Sequence, residues 1–280
     1  MNSIIAGIQI LRPLNMILCL LSVFISAWLV GGMTSPLLLY TVIVVICFAG
    51  SSNILNDILD IHIDDINRPD RVLTSGRLRI WDALIIMSIL YAVGIIATTY
   101  LQPVGRQIAL FLVLPLLVLY TPLFKRLPLI GNFVVGSMLG LVFPFTEAAI
   151  YGYVDKMWMP FCLATGLSTI RELVKDVVDI DGDAVFDLQT FPRKYGLLAT
   201  LWLLRIFAIT LFLFALTPWI QGYYGWGYLI LLIIFVGAPL LWSVFFQLNE
   251  TSAATDYNRT AQLLKGITIG GMFVILSTGF

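Results

Sequence analysis

The chain has 280 residues, of which 60% are hydrophobic and only 11% charged, with a formal net charge of zero and a mean hydropathy of +0.97. A soluble globular domain averages about 25% charged residues, so the composition excludes an ordinary soluble fold. Repeated apolar runs of roughly 20 residues point instead to membrane-spanning helices.

Nine apolar spans follow in order, at about 9–30, 36–57, 82–101, 107–124, 131–151, 158–177, 197–217, 225–247 and 261–279. The expected fold class is an all-α membrane protein, a single membrane-embedded domain over residues 1–280, with no cleavable signal before the first run. Turn signals separate the spans, among them Gly31-Gly32, Gln102-Pro103, Tyr151-Gly152 and Gln221-Gly222. Of the 16 Lys and Arg residues, only Arg106 and Lys156 belong to the links after the odd-numbered spans. The positive-inside rule therefore puts the links after spans two, four, six and eight in the cytoplasm, with the N-terminus in and the C-terminus out. Tyr151, Tyr153, Trp158, Trp219, Tyr223, Tyr224 and Trp226 suit an aromatic belt at the other side. Cys19, Cys47 and Cys162 sit in apolar stretches without close pairing and read as small packing residues.

The acids are concentrated more sharply. The end of span two carries Asn56, Asp57, Asp60, Asp64 and Asp65, followed by the basic turn Arg68-Pro69-Asp70-Arg71. At about 100° per residue, Asn56, Asp60 and Asp64 fall on one helical stripe. Carboxylates gathered this way repel one another and are easiest to explain around a cation. The end of span six repeats the theme with Arg171, Glu172, Lys175, Asp176, Asp179, Asp181 and Asp183, then Asp187 and Phe191-Pro192-Arg193-Lys194. Asp57, Asp60 and Asp64 have the same spacing as Asp176, Asp179 and Asp183, each pair being 119 residues apart. We read an internal repeat, two related halves each with an Asp-rich motif, the motifs facing one another across a bundle.

Mg2+ takes oxygen ligands and is usually held by one or two carboxylates together with substrate phosphates. Two acidic stripes can each hold one ion, a diphosphate can bridge them, and nearby Arg and Lys can neutralise the remaining charge. The apolar bundle beneath offers room for a hydrocarbon tail. The residues alone thus suggest a membrane enzyme acting on a lipid diphosphate. A transporter for a cation or lipid diphosphate is the alternative class, disfavoured because transporters place ionisable groups near the bilayer midplane. Four residues have plainer readings: His62 as a surface residue, Glu147 as a structural or interfacial acid, and Gly136 with Gly140 as a helix-packing pair.

These motifs resemble the UbiA superfamily of intramembrane prenyltransferases. The family's Asn-x-x-x-Asp-x-x-x-Asp appears as Asn56, Asp60 and Asp64, and its Asp-x-x-x-Asp as Asp179 and Asp183, preceded by Asp176. Arg12-Pro13-x-Asn15 and Tyr120-x4-Lys125-Arg126 match as well, and nine spans around a central cavity also fit. The resemblance implies that Asn56, Asp60 and Asp64 hold one Mg2+ and Asp176, Asp179 and Asp183 another. It implies that Arg68, Arg71 and Lys125 bind the diphosphate, with Asn15 and Tyr120 lining the site. Asp64, Asp183 and Lys125 are the expected catalytic residues, and Lys175 is a candidate contact for the substrate. Ile66-Asn67-Arg68-Pro69-Asp70-Arg71 with Ser75-Gly76-Arg77 is similar to the archaeal-type subgroup, with Val72 and Thr74 as departures. That subgroup transfers a geranylgeranyl group to the hydroxyl of geranylgeranylglyceryl phosphate, and aromatic or alcohol acceptors are the rival within the family. The implied partners are a prenyl diphosphate, a lipid-like acceptor and membrane lipids at the plasma membrane. No nucleic acid and no protein partner is implied.

Overall fold

The computed structural model describes residues 2–185 and 188–279. They form helices and connecting turns with no strand among them. Five stretches are long and apolar enough to cross a membrane: Leu37–Leu59, Ile80–Thr98, Ile130–Tyr151, Leu197–Ile220 and Trp226–Gln247. Pro13–Leu29 and Pro103–Leu119 are shorter apolar helices. Trp158–Val178 and Ala254–Leu276 are also helical, and five of the nine expected spans have the length and apolarity of a crossing helix among the described residues.

The first span begins later than expected. Asn2–Gln9 is a separate short helix, and the chain breaks before helix Pro13–Leu29. Proline disfavours the right-handed helical region for the residue before it, and Arg12 takes φ 57°, ψ 71°. The break turns the Arg12 side chain away from the helical path that an unbroken span would give it.

The chain divides into two compact units, one of Met1–Phe124 with Leu141–Trp158, the other of Lys125–Gly140 with Met159–Phe280. In the first, the core near the acidic stripe gathers Ala6, Ile10, Ile54, Val72, Leu73, Leu78 and Ala83. Val72 departs from the family pattern and is buried in this cluster, where an apolar side chain is what the site accepts. In the second, Leu167, Ile170, Leu173, Leu204, Leu240, Leu248, Tyr257 and Leu264 pack together. Helix Ile130–Gly140 lies close to Trp158–Val178. A Cβ added at Gly136 would sit 2.6 Å from the Thr165 carbonyl oxygen, and one at Gly140 2.7 Å from that of Phe161. The two glycines are the packing pair that their spacing indicates.

Each unit also holds a widened helical segment just ahead of a proline. Ile108–Val113 is π-helical before Pro115, and Ile233–Gly237 before Pro239. A proline inside a helix removes one hydrogen bond and crowds the carbonyl four residues back, and a wider turn relieves the crowding.

Candidate functional site

The first acidic stripe lies on a helix with a joint. Leu37–Leu59 ends at Asp60, and Ile61–Asn67 continues from it. Helical bonding runs through the joint, with the Asp60 N–H donating to Asn56 O at 2.9 Å and the Asp64 N–H to Asp60 O at 2.8 Å. Asn56, Asp60 and Asp64 therefore stay on one stripe. Asp60 is 9% exposed and Asp57 and Asp64 5% each, whereas Asp65, Asp70 and His62 face solvent. The exposed position of His62 agrees with its reading as a surface residue.

A network of charges holds this stripe. Arg71 Nη1 donates to Asp57 Oδ1 at 3.1 Å and also to Asp64 Oδ2. Arg12 Nη2 donates to the same Asp57 Oδ1 at 2.5 Å. The Thr121 hydroxyl donates to Asn56 Oδ1 at 2.5 Å. Burial raises the Asp64 carboxyl above the ordinary carboxylate range, and the Arg71 charge opposes that rise. Asn15, in the first turn of Pro13–Leu29, and Arg68 and Tyr120 are half-buried in the same unit. The basic turn is tied by its own side chains. Thr74, the second departure from the family pattern, donates to the carbonyls of Pro69 and Arg71 at 3.1 Å each. Arg77 donates to Asp70 O at 2.5 Å and to Gln9 Oε1 at 2.7 Å.

The second acidic stretch has the same local form. Trp158–Val178 ends, Asp179 forms the joint, and Ile180–Val185 continues. The Asp179 N–H donates to Lys175 O and the Asp183 N–H to Asp179 O, both at 2.9 Å. Asp60 and Asp179, which correspond in the 119-residue repeat, thus both occupy helix joints. Here one acid again sits between two cations: Glu172 meets Lys175 Nζ at 2.6 Å and Arg171 Nη2 at 3.2 Å. Lys175, the candidate substrate contact, is thus placed beside Glu172. Asn132 Nδ2 donates to Asp176 Oδ2 at 2.8 Å. Asp183 is 5% exposed, and burial pushes its carboxyl up to about 6. The neighbouring Asp179 charge adds to that rise, while the charge of Lys125 opposes it. Arg193 Nη1 donates to the carbonyls of Asp183 and Leu188, at 2.9 and 2.6 Å, closing the turn after the motif. Asp187 lies outside the described residues.

Asp57, Arg12, Thr121 and Asn132 were not among the expected site residues. Asp57 sits about 100° around the helix from Asn56, and its partner Arg12 is 45 residues away. Asn132 and Asp176 are 44 residues apart. The signal available was the presence of Asp57 and Arg12 inside the quoted motifs, which spacing alone did not connect.

The donor set suits Mg2+. Asn56, Asp60 and Asp64, and Asp176, Asp179 and Asp183, offer only oxygen ligands, with no imidazole or thiolate among them. Among the described residues no three His, Cys, Asp or Glu side chains converge as a ready cage. That is compatible with an ion that is held by one or two carboxylates and completes its shell with water and phosphate oxygens.

Relatives match this chain over most of their length. The chain is 35% identical over 227 residues to the digeranylgeranylglyceryl phosphate synthase of Natronomonas pharaonis, covering 81% of this chain and 82% of that one. It is 31% identical to the protein of the same name from Methanopyrus kandleri, covering 98% of each. A solved structure of a digeranylgeranylglyceryl phosphate synthase in membranes superposes with a TM-score of 0.77 at 25% identity, over 100% of this chain and 99% of that one. A UbiA homolog from Archaeoglobus fulgidus, bound to GPP and Mg2+, shares the fold with a TM-score of 0.69 at 14% identity, over 96% of this chain and 99% of that one. The family model for UbiA prenyltransferases matches residues 19–263, from the first apolar helix to the last and across both acidic stretches. This all-helical integral membrane protein belongs to the UbiA prenyltransferase family.

Proposed function

We propose that the protein is a Mg2+-dependent intramembrane prenyltransferase of ether-lipid synthesis. It moves a geranylgeranyl group from its diphosphate to the hydroxyl of geranylgeranylglyceryl phosphate. The observation that carries this reading is the pair of jointed acidic helices, each with an acid paired to Arg or Lys, in a chain 31–35% identical to named digeranylgeranylglyceryl phosphate synthases. The whole chain acts as one catalytic domain of nine spans in two related halves. The length of the family match, residues 19–263, supports this.

In this reading Asn56, Asp60 and Asp64 hold one Mg2+, and Asp176, Asp179 and Asp183 hold a second. Bound Mg2+ supplies positive charge that stabilises a leaving diphosphate. The chain's own residues supply the rest. Arg68, Arg71 and Lys125 bind phosphate oxygens, Arg through a bidentate fork. Asn15 and Tyr120 line the same site, and Lys175 contacts the substrate. Asp64, Asp183 and Lys125 are the residues on which turnover depends most. No protein nucleophile is needed, because charge stabilisation of the leaving group is the main catalytic contribution. The allylic carbon–oxygen bond breaks with its electron pair leaving on the diphosphate, and the acceptor oxygen bonds to the carbocation-like carbon while its proton is released to solvent. Aromatic faces near that carbon would stabilise it. The acidic stretches face the cytoplasm and the chain resides in the plasma membrane, a reading supported by the basic links of the sequence.

The test is a panel of acceptors at one donor. Purified protein in detergent receives labelled geranylgeranyl diphosphate, Mg2+ and, in turn, geranylgeranylglyceryl phosphate, an aromatic quinone precursor and a long-chain alcohol. Product should form with the glyceryl phosphate acceptor. Product with only the aromatic acceptor would move the protein to another branch of the family, and no acceptor-dependent product would refute the enzyme reading.

A further inference from the structure

Arg205 is the one charged residue in the apolar helix Leu197–Ile220. It lies eight residues past Leu197, roughly 12 Å along the helix. A charged side chain inside a spanning helix is costly and normally meets a partner. Among the described residues Arg205 has no acidic partner. Its contact with protein oxygen is Nη2 to the Leu248 carbonyl at 3.5 Å, longer than the usual 2.7–3.2 Å range. Its Nε is buried without a hydrogen-bond partner, and so is Oε1 of Gln247 beside Leu248.

Arg106 shows what a structural arginine does in this chain. Its guanidinium donates to the carbonyls of Thr98, Thr99 and Leu101 at 3.2, 2.7 and 3.4 Å, closing the end of helix Ile80–Thr98. This also accounts for a basic residue in a link after an odd-numbered span. Arg205 has no comparable set of acceptors for its donors.

Aromatic rings surround it instead. The guanidinium lies 5.4 Å from the Trp202 ring centre and 5.7 Å from that of Phe245. Trp202, Phe245 and nearby Trp242 and Phe246 are all exposed on the surface of the unit. Tryptophans exposed on spanning helices favour the headgroup level of a bilayer. Leu248, where the helical run ending at Gln247 gives way to extended backbone, marks the same end of the span. Long basic side chains reach toward that level from below it.

We propose that Arg205, with Trp202 and Phe245 as walls, binds the phosphate of a bilayer phospholipid. The phosphate oxygens would accept from the guanidinium N–H groups on the partly exposed side of Arg205, between Trp202 and Phe245, while the buried Nε stays inside the unit, and the aromatic faces would pack against the glycerol and the first methylenes. The proposal rests on Leu197–Ile220 crossing the bilayer. It does not depend on the acceptor assigned above, since none of these residues belongs to the acidic stretches.

The experiment titrates phosphatidylglycerol into the purified full chain in detergent, read by native mass spectrometry and by the thermal midpoint. Diacylglycerol and inorganic phosphate are the parallel arms, and Arg205→Met, Arg205→Gln and Arg259→Met the variants. Arg259 is an exposed basic residue beyond the eighth span and serves as the control for general charge attraction. The wild type should retain phosphatidylglycerol and melt higher with it, and should not respond to diacylglycerol. Arg205→Met should bind it about tenfold more weakly, the size of a lost charge-assisted hydrogen bond. Arg259→Met should bind as the wild type does. Arg205→Gln serves the same purpose if the methionine variant does not fold. Wild-type affinity in both Arg205 variants, an equal loss in Arg259→Met, or full displacement by inorganic phosphate would each overturn the proposal. The acceptor panel above is read separately, so failure of one claim does not disguise failure of the other.

Discussion

Asp57 grips Arg71: Oδ1 of the acid accepts from Nη1 of the arginine at 3.1 Å, and the same oxygen accepts from Arg12 at 2.5 Å. One buried carboxylate thus aligns two guanidiniums beside the stripe proposed to hold metal. Arg71 remains in contact with Asp64 as well. Removing Asp57 leaves two positive groups crowded together with one counter-charge fewer. Asp57→Asn should raise the KM for the prenyl diphosphate about tenfold, with a smaller effect on kcat, as expected from one lost charge-assisted hydrogen bond. Asp57→Glu should recover part of the loss. Steady-state kinetics in the diphosphate would check this, and an unchanged KM in Asp57→Asn would remove Asp57 from substrate positioning.

Glu147 has a different task. It is 1% exposed, and its carboxylate accepts from the backbone N–H groups of Asp155, Lys156 and Met157 at 3.0–3.2 Å. It fastens the link before helix Trp158–Val178, which agrees with the structural role read from the sequence. Glu147→Ala should lower stability by about 1–3 kcal/mol, the usual cost of orphaned buried donors, and should open residues 152–157 to protease. Turnover of the folded fraction should be unchanged. Thermal melting and limited proteolysis would check both effects.

At Gly136 a single methyl group should be enough to disturb the packing. The added carbon would meet the Thr165 carbonyl at 2.6 Å, and backbone of a helix cannot step aside as a side chain can. Gly136→Ala should cut the yield of folded protein in size-exclusion chromatography. Ser137→Ala, the same size of change one residue along the helix, should not.

Magnesium use should depend on pH through Asp183. Its carboxyl is raised to about 6, so the folded chain holds that proton more tightly than the unfolded chain. The stability this group contributes is full below about pH 4 and is lost as pH rises through about 6. Binding of Mg2+ needs the charged form, so apparent affinity should fall roughly tenfold per pH unit below about pH 6 for one competing proton. Mg2+ activation curves from pH 5 to 8 would show this. A flat profile would mean that Asp183 is not a ligand.

Much of this site can be read from local spacing. Asn56, Asp60 and Asp64 repeat every four residues, and a helix converts that interval into a stripe whatever the rest of the fold does. The repeat at Asp176, Asp179 and Asp183 is equally local, and its joint at Asp179 matches the joint at Asp60. The pairings Arg12–Asp57 and Asn132–Asp176 are not local, because each depends on two helices meeting side by side. The break at Arg12 was signalled by Pro13 yet lay hidden inside an apolar run. Pro115 and Pro239 likewise mark the π-helical turns before them, but a hydropathy pattern registers only continuous span.

The central claim is that both acidic stretches serve one Mg2+-dependent transfer. It is tested most directly by turnover of Asp64→Ala and Asp183→Ala, each measured with labelled geranylgeranyl diphosphate, geranylgeranylglyceryl phosphate and a Mg2+ titration, on protein shown to be folded. Each substitution alone should abolish Mg2+-dependent product. Full activity in either variant would contradict the claim.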